Sequence, residues 1–263
     1  MQEKKPFKIV STKKTRYILP NVLTLIGVCL GISSIKFSLD QNYSMAVIFI
    51  VLAALLDALD GRIARLIQGT SEFGKELDSL TDFVSFGIAP AFIIYFWELK
   101  NFGKIGWAIT LIFSVCCVLR LARFNLTKIN ENELWKMNFF EGIPSPAGGI
   151  LILLPLIYDL SSFNFSFDIK VLSPYLVILI AVLLISKTPT FSFKKISIPR
   201  KLTIFILLGV GTIFVSLVFF TFETLLILGV IYLFLIPLSC FIYYRNKKNS
   251  KMSLQEEDHE DIL

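Results

Sequence analysis

Four carboxylates carry the chemical potential of this chain: Asp57, Asp60, Asp78 and Asp82, in the stretch DALDGRIARLIQGTSEFGKELDSLTD. On a helix running from Asp57 through Arg65, the residues Asp57, Asp60, Gly61 and Ala64 share one face. Asp57 and Asp60 then lie about 4.5 Å apart along the axis, at 1.5 Å per residue. On a second helix, Gly74, Asp78 and Asp82 recur at every fourth position and again share a face. The two faces can converge. Carboxylates gathered in one pocket repel one another, and a divalent cation removes that conflict. A donor set made only of carboxylates favours a hard ion, Mg²⁺ or Mn²⁺, over zinc. Two such helices offer enough oxygens for two ions about 4 Å apart. Gly61, Ala64 and Gly74 are small and let a bulky ligand approach the backbone. Interfacial aspartates can also do no more than cap helix ends, but four of them, with small residues on the same faces, fit capping poorly.

The elements that must position these side chains are apolar. The 263 residues are 55% hydrophobic, and the mean hydropathy is +0.71. Soluble domains run lower in both. Apolar segments fall at approximately 20–39, 43–67, 78–99, 105–124, 146–160, 171–186, 202–221 and 223–244. The expected fold is therefore an all-α polytopic membrane protein of about eight transmembrane helices. The fifth and sixth segments are short for a span of about 20 residues; they can extend, tilt or be partly re-entrant. Charged residues at membrane level are expensive and usually functional.

Eight spans put both ends of the chain on one side. On the opposite side only Lys36, Lys100, Lys104 and Lys170 would lie, leaving 22 of the 26 basic residues on the side of the termini. By the positive-inside rule the termini are cytoplasmic. The second span then ends inward at Asp57–Arg65 and the third begins near Asp78. All four carboxylates sit at the cytoplasmic face, where a water-soluble headgroup and a lipid tail can both reach. Residues 1–18 are a basic cytoplasmic segment with Lys4, Lys5, Lys8, Lys13, Lys14 and Arg16, followed by a retained first helix rather than a cleaved leader. This run either binds anionic headgroups or only sets topology. The basic loop 186–201 reads as a topology loop that could also touch lipid phosphates. Residues 245–263 turn from basic to acidic and read as a disordered, cytoplasmic tail.

Other chemistries are excluded by composition. The single histidine, His259, stands in the acidic tail, so the chain holds no Ser-His-Asp or Cys-His site. Cys29, Cys116, Cys117 and Cys240 lie inside apolar runs without metal spacing or a disulfide framework. At the end of the fourth span, Arg120 and Arg123 stand three apart in Arg-Leu-Ala-Arg-Phe-Asn, which ends at Asn125. They either snorkel and set topology, or capture a carboxylate or phosphate, which suits the planar guanidinium.

The aspartate stretch resembles the signature of the CDP-alcohol phosphatidyltransferase family, D-x2-D-G-x2-A-R-x8-G-x3-D-x3-D. Every fixed position is filled: Asp57, Asp60, Gly61, Ala64, Arg65, Gly74, Asp78 and Asp82. At ordinary residue frequencies, a chance match at one start point is on the order of 10⁻¹⁰. Arg-Phe-Asn at 123–125 and Gly-Ile-Pro-Ser-Pro-Ala at 142–147 resemble the phosphatidylserine synthase branch, with Ile143 in place of the usual Leu. The lone histidine argues against the unrelated synthases that resemble phospholipase D.

The resemblance implies a six-helix family core over 19–200, with two further transmembrane helices over 201–244. Gly209 and Gly211 could allow close packing in the added pair. It implies that Asp57, Asp60 and Asp78 ligate metal and that Asp82 is the base and can also ligate. Asn21, Thr24, Asp60, Gly61, Ala64, Arg65 and Gly74 would bind the CDP-lipid. Arg120, Arg123 and Asn125 are candidates for the serine carboxylate. The implied reaction transfers the phosphatidyl group of CDP-diacylglycerol to L-serine, giving phosphatidylserine and CMP, in a homodimer of the bacterial inner membrane that binds no nucleic acid. Another acceptor (glycerol 3-phosphate, inositol phosphate or choline) remains open, as does an ion or metal transporter, since intramembrane carboxylates also build transport sites.

Overall fold

The computed structural model describes residues 12–67, 71–126, 139–163, 169–191 and 203–260. The first part of the basic N-terminal segment and most of the 186–201 loop lie outside the described residues. Helices α1 (Thr12–Leu39) and α2 (Tyr43–Leu66) form an antiparallel pair with an extensive contact. Asn42 caps α2 by accepting from Met45 N at 3.2 Å. Helix α3 (Glu72–Asp82) passes through a π-helical turn, Phe83–Ile88, into α4 (Ala89–Trp97). Helix α5 (Gly103–Leu126) follows.

Five stretches are long and apolar enough to cross a membrane: Ile18–Leu39, Tyr43–Leu66, Glu72–Trp97, Leu99–Leu126 and Thr221–Tyr243. Ile169–Ile185 and Leu207–Phe219 are apolar but shorter. The protein is thus a helical, polytopic membrane protein. Its helices turn Ile50, Phe86, Ile94, Phe113, Leu156 and Ile180 inward, while Leu55, Leu111, Leu179 and Phe205 remain exposed. That distribution suits lipid, where close packing rather than water exclusion holds helices together. At one such approach, α1 crosses the π turn: a Cβ on Gly31 would come 2.9 Å from Ser85 Cα. Ser85 Oγ donates to Gly27 O at 3.1 Å.

Two sequence expectations need correction. The fifth segment is not one helix. It is α6 (Ser145–Ile152) and α7 (Leu154–Leu160), broken at Leu153. Pro155 lacks the N–H that would continue the ladder. The all-α fold carries one short strand pair besides. β1 (Phe139–Glu141) pairs antiparallel with β2 (Pro189–Phe191), on either side of α6, α7 and α8 (Ser173–Ile185). Two short loop segments satisfy each other's backbone groups in this way. Finally, the tail expected to be disordered is helical to Glu260. After α9 (Thr203–Phe219), α10 spans Thr221–Glu260. Its last turns are rich in Lys, Met, Gln and Glu, strong helix formers that extend an existing helix without a new nucleus.

Candidate functional site

The end of α2 and the whole of α3 bring the predicted faces together. Asp57, Asp60 and Asp78 each offer a carboxylate oxygen to one group whose members all lie within 4.8 Å of one another. Helix α3 starts where it does because Ser71 caps it, accepting from Gly74 N at 2.9 Å. That fixed start sets the register that turns Asp78 toward α2.

Helix α1 completes the wall. Asp60 is only 4% exposed and accepts from Thr24 Oγ1 at 2.8 Å. The same hydroxyl lies 3.0 Å from the Pro20 carbonyl. Asn21 sits against the start of α3, and a Cβ on Gly74 would meet its Oδ1 at 3.1 Å. Gly74 therefore admits Asn21 to the site's edge. A Cβ at Gly61, by contrast, would meet nothing within 4 Å, so this face of α2 is open to an approaching ligand. Ala64 is half-buried and Arg65 exposed; Arg65 Nε donates to Gly61 O at 3.0 Å.

Asp82 follows one turn further along α3, with its carboxyl against that of Asp57. Its Oδ2 accepts from Ser145 Oγ at 2.7 Å. Its Oδ1 is buried with no hydrogen-bond partner among the described residues. The charge of Arg120 acts on it from α5.

The three residues at the end of α5 are divided by the fold. Arg120 Nε donates to Ile143 O at 2.6 Å, on the turn before α6. Arg123 reaches the end of α8, with Nη1 2.5 Å from Ile185 O and Nη2 3.3 Å from Ser186 O. Asn125 Nδ2 donates to Ser79 Oγ at 2.9 Å, on α3 beside Asp78. Of the three, Arg120 is the one held beside Asp82. Ser145 and Ser79 had no role in the sequence reading. The available signal for Ser145 was a hydroxyl between two prolines at the start of an apolar helix.

These residues fit a divalent cation. The donors are all hard oxygens, and three of them share one pocket. Such a site at the end of an open helix face suits chemistry on a phosphate ester.

Comparison with known proteins places the chain in a family. The CDP-alcohol phosphatidyltransferase family model matches residues 17–192. The CDP-diacylglycerol–serine O-phosphatidyltransferase of Helicobacter pylori (strain ATCC 700392 / 26695) is 37% identical over 199 residues, covering 76% of this chain and 82% of that protein. The protein of the same name from Mycobacterium leprae (strain TN) is 42% identical over 137 residues, covering 52% of this chain and 45% of its own. The archaetidylserine synthase of Methanothermobacter thermautotrophicus is 36% identical over 182 residues, covering 66% and 70% respectively. With the family signature filled on α2 and α3 and the family match running across two thirds of its length, this chain belongs to the CDP-alcohol phosphatidyltransferase family.

Proposed function

We propose that this protein transfers the phosphatidyl group from CDP-diacylglycerol to the hydroxyl of L-serine, releasing CMP. The observation that carries the reading is the convergence of Asp57, Asp60 and Asp78 beside a buried, half-satisfied Asp82. The names of the relatives support serine as the acceptor.

In this reading Asn21, Thr24, Gly61, Ala64, Arg65 and Gly74 border the CDP-lipid, whose diphosphate lies over the open Gly61 face. Asp57, Asp60 and Asp78 would hold a divalent cation, Mg²⁺ or Mn²⁺; when bound, the metal supplies charge neutralisation for the diphosphate and the departing phosphate. Arg120 receives the serine carboxylate through its terminal nitrogens, its Nε being used on Ile143 O. Arg123 and Asn125 brace the end of α5 against α8 and Ser79. Asp82 Oδ1 takes the proton from the serine hydroxyl. The serine oxygen bonds to the phosphatidyl phosphorus as the bond from that phosphorus to the CMP oxygen breaks.

The topology belongs to the same proposal: eight crossings, with α6 and α7 as one interrupted crossing, and both termini and the site at the cytoplasmic face of a bacterial inner membrane. The contacts between helix ends support it. On the site's side lie the β1–β2 pair, Arg123 with Ser186, and Asn125 with Ser79. At the other ends of the same helices, Tyr43 OH reaches Phe96 O at 3.1 Å, Trp97 Nε1 reaches Asp159 at 3.4 Å, and Ser162 Oγ reaches Glu223 at 2.7 Å. Residues 1–18 and 245–263 are cytoplasmic flanks, 19–200 the catalytic core and 201–244 an added helical pair. The working unit is a homodimer, checked by mass photometry in nanodiscs.

The test is CMP release by purified protein given CDP-diacylglycerol, Mn²⁺ or Mg²⁺, and one acceptor at a time. Release with L-serine, abolished by chelation, is expected. Release only with glycerol 3-phosphate, inositol phosphate or choline would overturn the acceptor, and no release with any would overturn the reaction.

A further inference from the structure

We propose that Ser145 is a positioning residue for Asp82, and that the 142–145 turn is built to deliver its hydroxyl. This rests on the reading above that Asp82 accepts the serine proton.

Ser145 is 1% exposed and donates its one hydroxyl proton to Asp82 Oδ2 at 2.7 Å. The hydroxyl has no local task at the helix start. Pro144 is the cap residue of α6, with no side-chain cap bond. A buried serine with only a structural duty would ordinarily satisfy a nearby backbone group. This one instead satisfies a single oxygen of a carboxylate 63 residues away in sequence. The bond fixes the rotation of the carboxylate about its Cβ–Cγ axis. Oδ1 is thereby left as the oxygen to which no described residue donates, beside the carboxyl of Asp57. Ser145 keeps its own proton; the free oxygen is the one that can receive another.

The turn is held on several sides, so that the hydroxyl arrives at a fixed place. Gly142 N donates to Thr188 O at 2.8 Å, and Thr190 Oγ1 donates to Gly142 O at 2.8 Å. Arg120 Nε holds Ile143 O at 2.6 Å. Gly142 has φ +78°, and a Cβ there would come 2.9 Å from Ser186 O, so the turn requires glycine. Helix α6 in turn lies on the π turn that follows Asp82: a Cβ on Gly149 would come 3.0 Å from Phe86 O. Donor and acceptor are thus anchored to each other through two independent routes. Positioning of this kind acts on the reacting geometry more than on ground-state binding.

The test uses the full-length protein in nanodiscs, with Ser145→Ala and Ser145→Thr assayed well below their unfolding midpoints. A hydrogen bond to a charged group supports an expected fall in kcat for Ser145→Ala of about 10- to 100-fold. KM for both substrates, and CDP-diacylglycerol affinity measured without acceptor, should stay within about threefold. Ser145→Thr, which keeps the hydroxyl, should recover most of the loss. The proposal is overturned if Ser145→Ala keeps kcat within about twofold of wild type. It is equally overturned if the loss lies in KM or lipid affinity, or if folded Ser145→Thr is no better than Ser145→Ala. Wild type active with serine beside an unaffected Ser145→Ala sinks this inference alone, whereas wild type that releases no CMP sinks both.

Discussion

Replacing Arg123 with alanine should damage stability and leave serine recognition nearly intact. The guanidinium is spent on two carbonyls at the end of α8, Ile185 O at 2.5 Å and Ser186 O at 3.3 Å. Hydrogen bonds to charged groups contribute about 1.5–3 kcal/mol each, and cations at a helix C-terminus gain a further fraction of a kcal/mol from the dipole. The second bond is long and the side chain is only half-buried, which discounts the sum to about 2–3 kcal/mol. Arg120→Ala should behave differently. It removes the proposed carboxylate partner beside Asp82, worth about 3 kcal/mol or roughly a hundredfold in KM for serine. Both variants would be purified in nanodiscs. Unfolding would be followed by circular dichroism in a denaturing detergent titration, and KM for serine by CMP release. The expected pattern is a lowered unfolding midpoint for Arg123→Ala, with KM for serine within about twofold of wild type. An Arg123→Ala protein as stable as wild type, but with KM for serine raised tenfold or more, would refute the division of labour between the two arginines.

Two further substitutions separate the metal site from the lipid site. Thr24→Val removes the 2.8 Å bond to Asp60 while keeping the side chain's shape. Loss of such an orienting partner typically costs about tenfold or more in metal affinity. The Mn²⁺ concentration giving half-maximal CMP release should rise accordingly, and an unchanged titration would show that Thr24 does not orient Asp60. Gly61→Leu should leave the unfolding midpoint unaltered or slightly raised, because a Cβ there meets nothing within 4 Å and glycine disfavours a helix by about 1 kcal/mol. Turnover of CDP-diacylglycerol should nonetheless fall at least about tenfold; full activity would move the lipid headgroup away from the Gly61 face.

Much of this site could be read locally. Asp57 and Asp60 on α2, and Asp78 on α3, fall on the faces that helical spacing predicts, because both helices are regular there and Ser71 fixes the second one's start. What escaped the sequence was tertiary or broke a run from within. The Ser145–Asp82 bond joins residues 63 apart, and no periodicity reports such a pair. The partners that Arg120, Arg123 and Asn125 find, before α6, at the end of α8 and on α3, are tertiary in the same way. The break at Leu153 was written in Pro155, but hydropathy averages over a proline inside an apolar run. The β1–β2 pair involves three residues on each side, too few to show alternation. The helical end of α10 shows propensity outweighing a charged composition that otherwise signals disorder.

The central claim is that the carboxylates between α2 and α3 carry transfer of a phosphatidyl group to serine. It is tested most directly by supplying isotopically labelled L-serine and CDP-diacylglycerol to purified protein and following lipid and nucleotide by mass spectrometry. The account predicts labelled phosphatidylserine and CMP in equal amounts, both lost on chelation, in Asp78→Asn and in Asp82→Asn. Labelled product of undiminished yield from Asp78→Asn and Asp82→Asn, or CMP formed without label in the lipid, would contradict it.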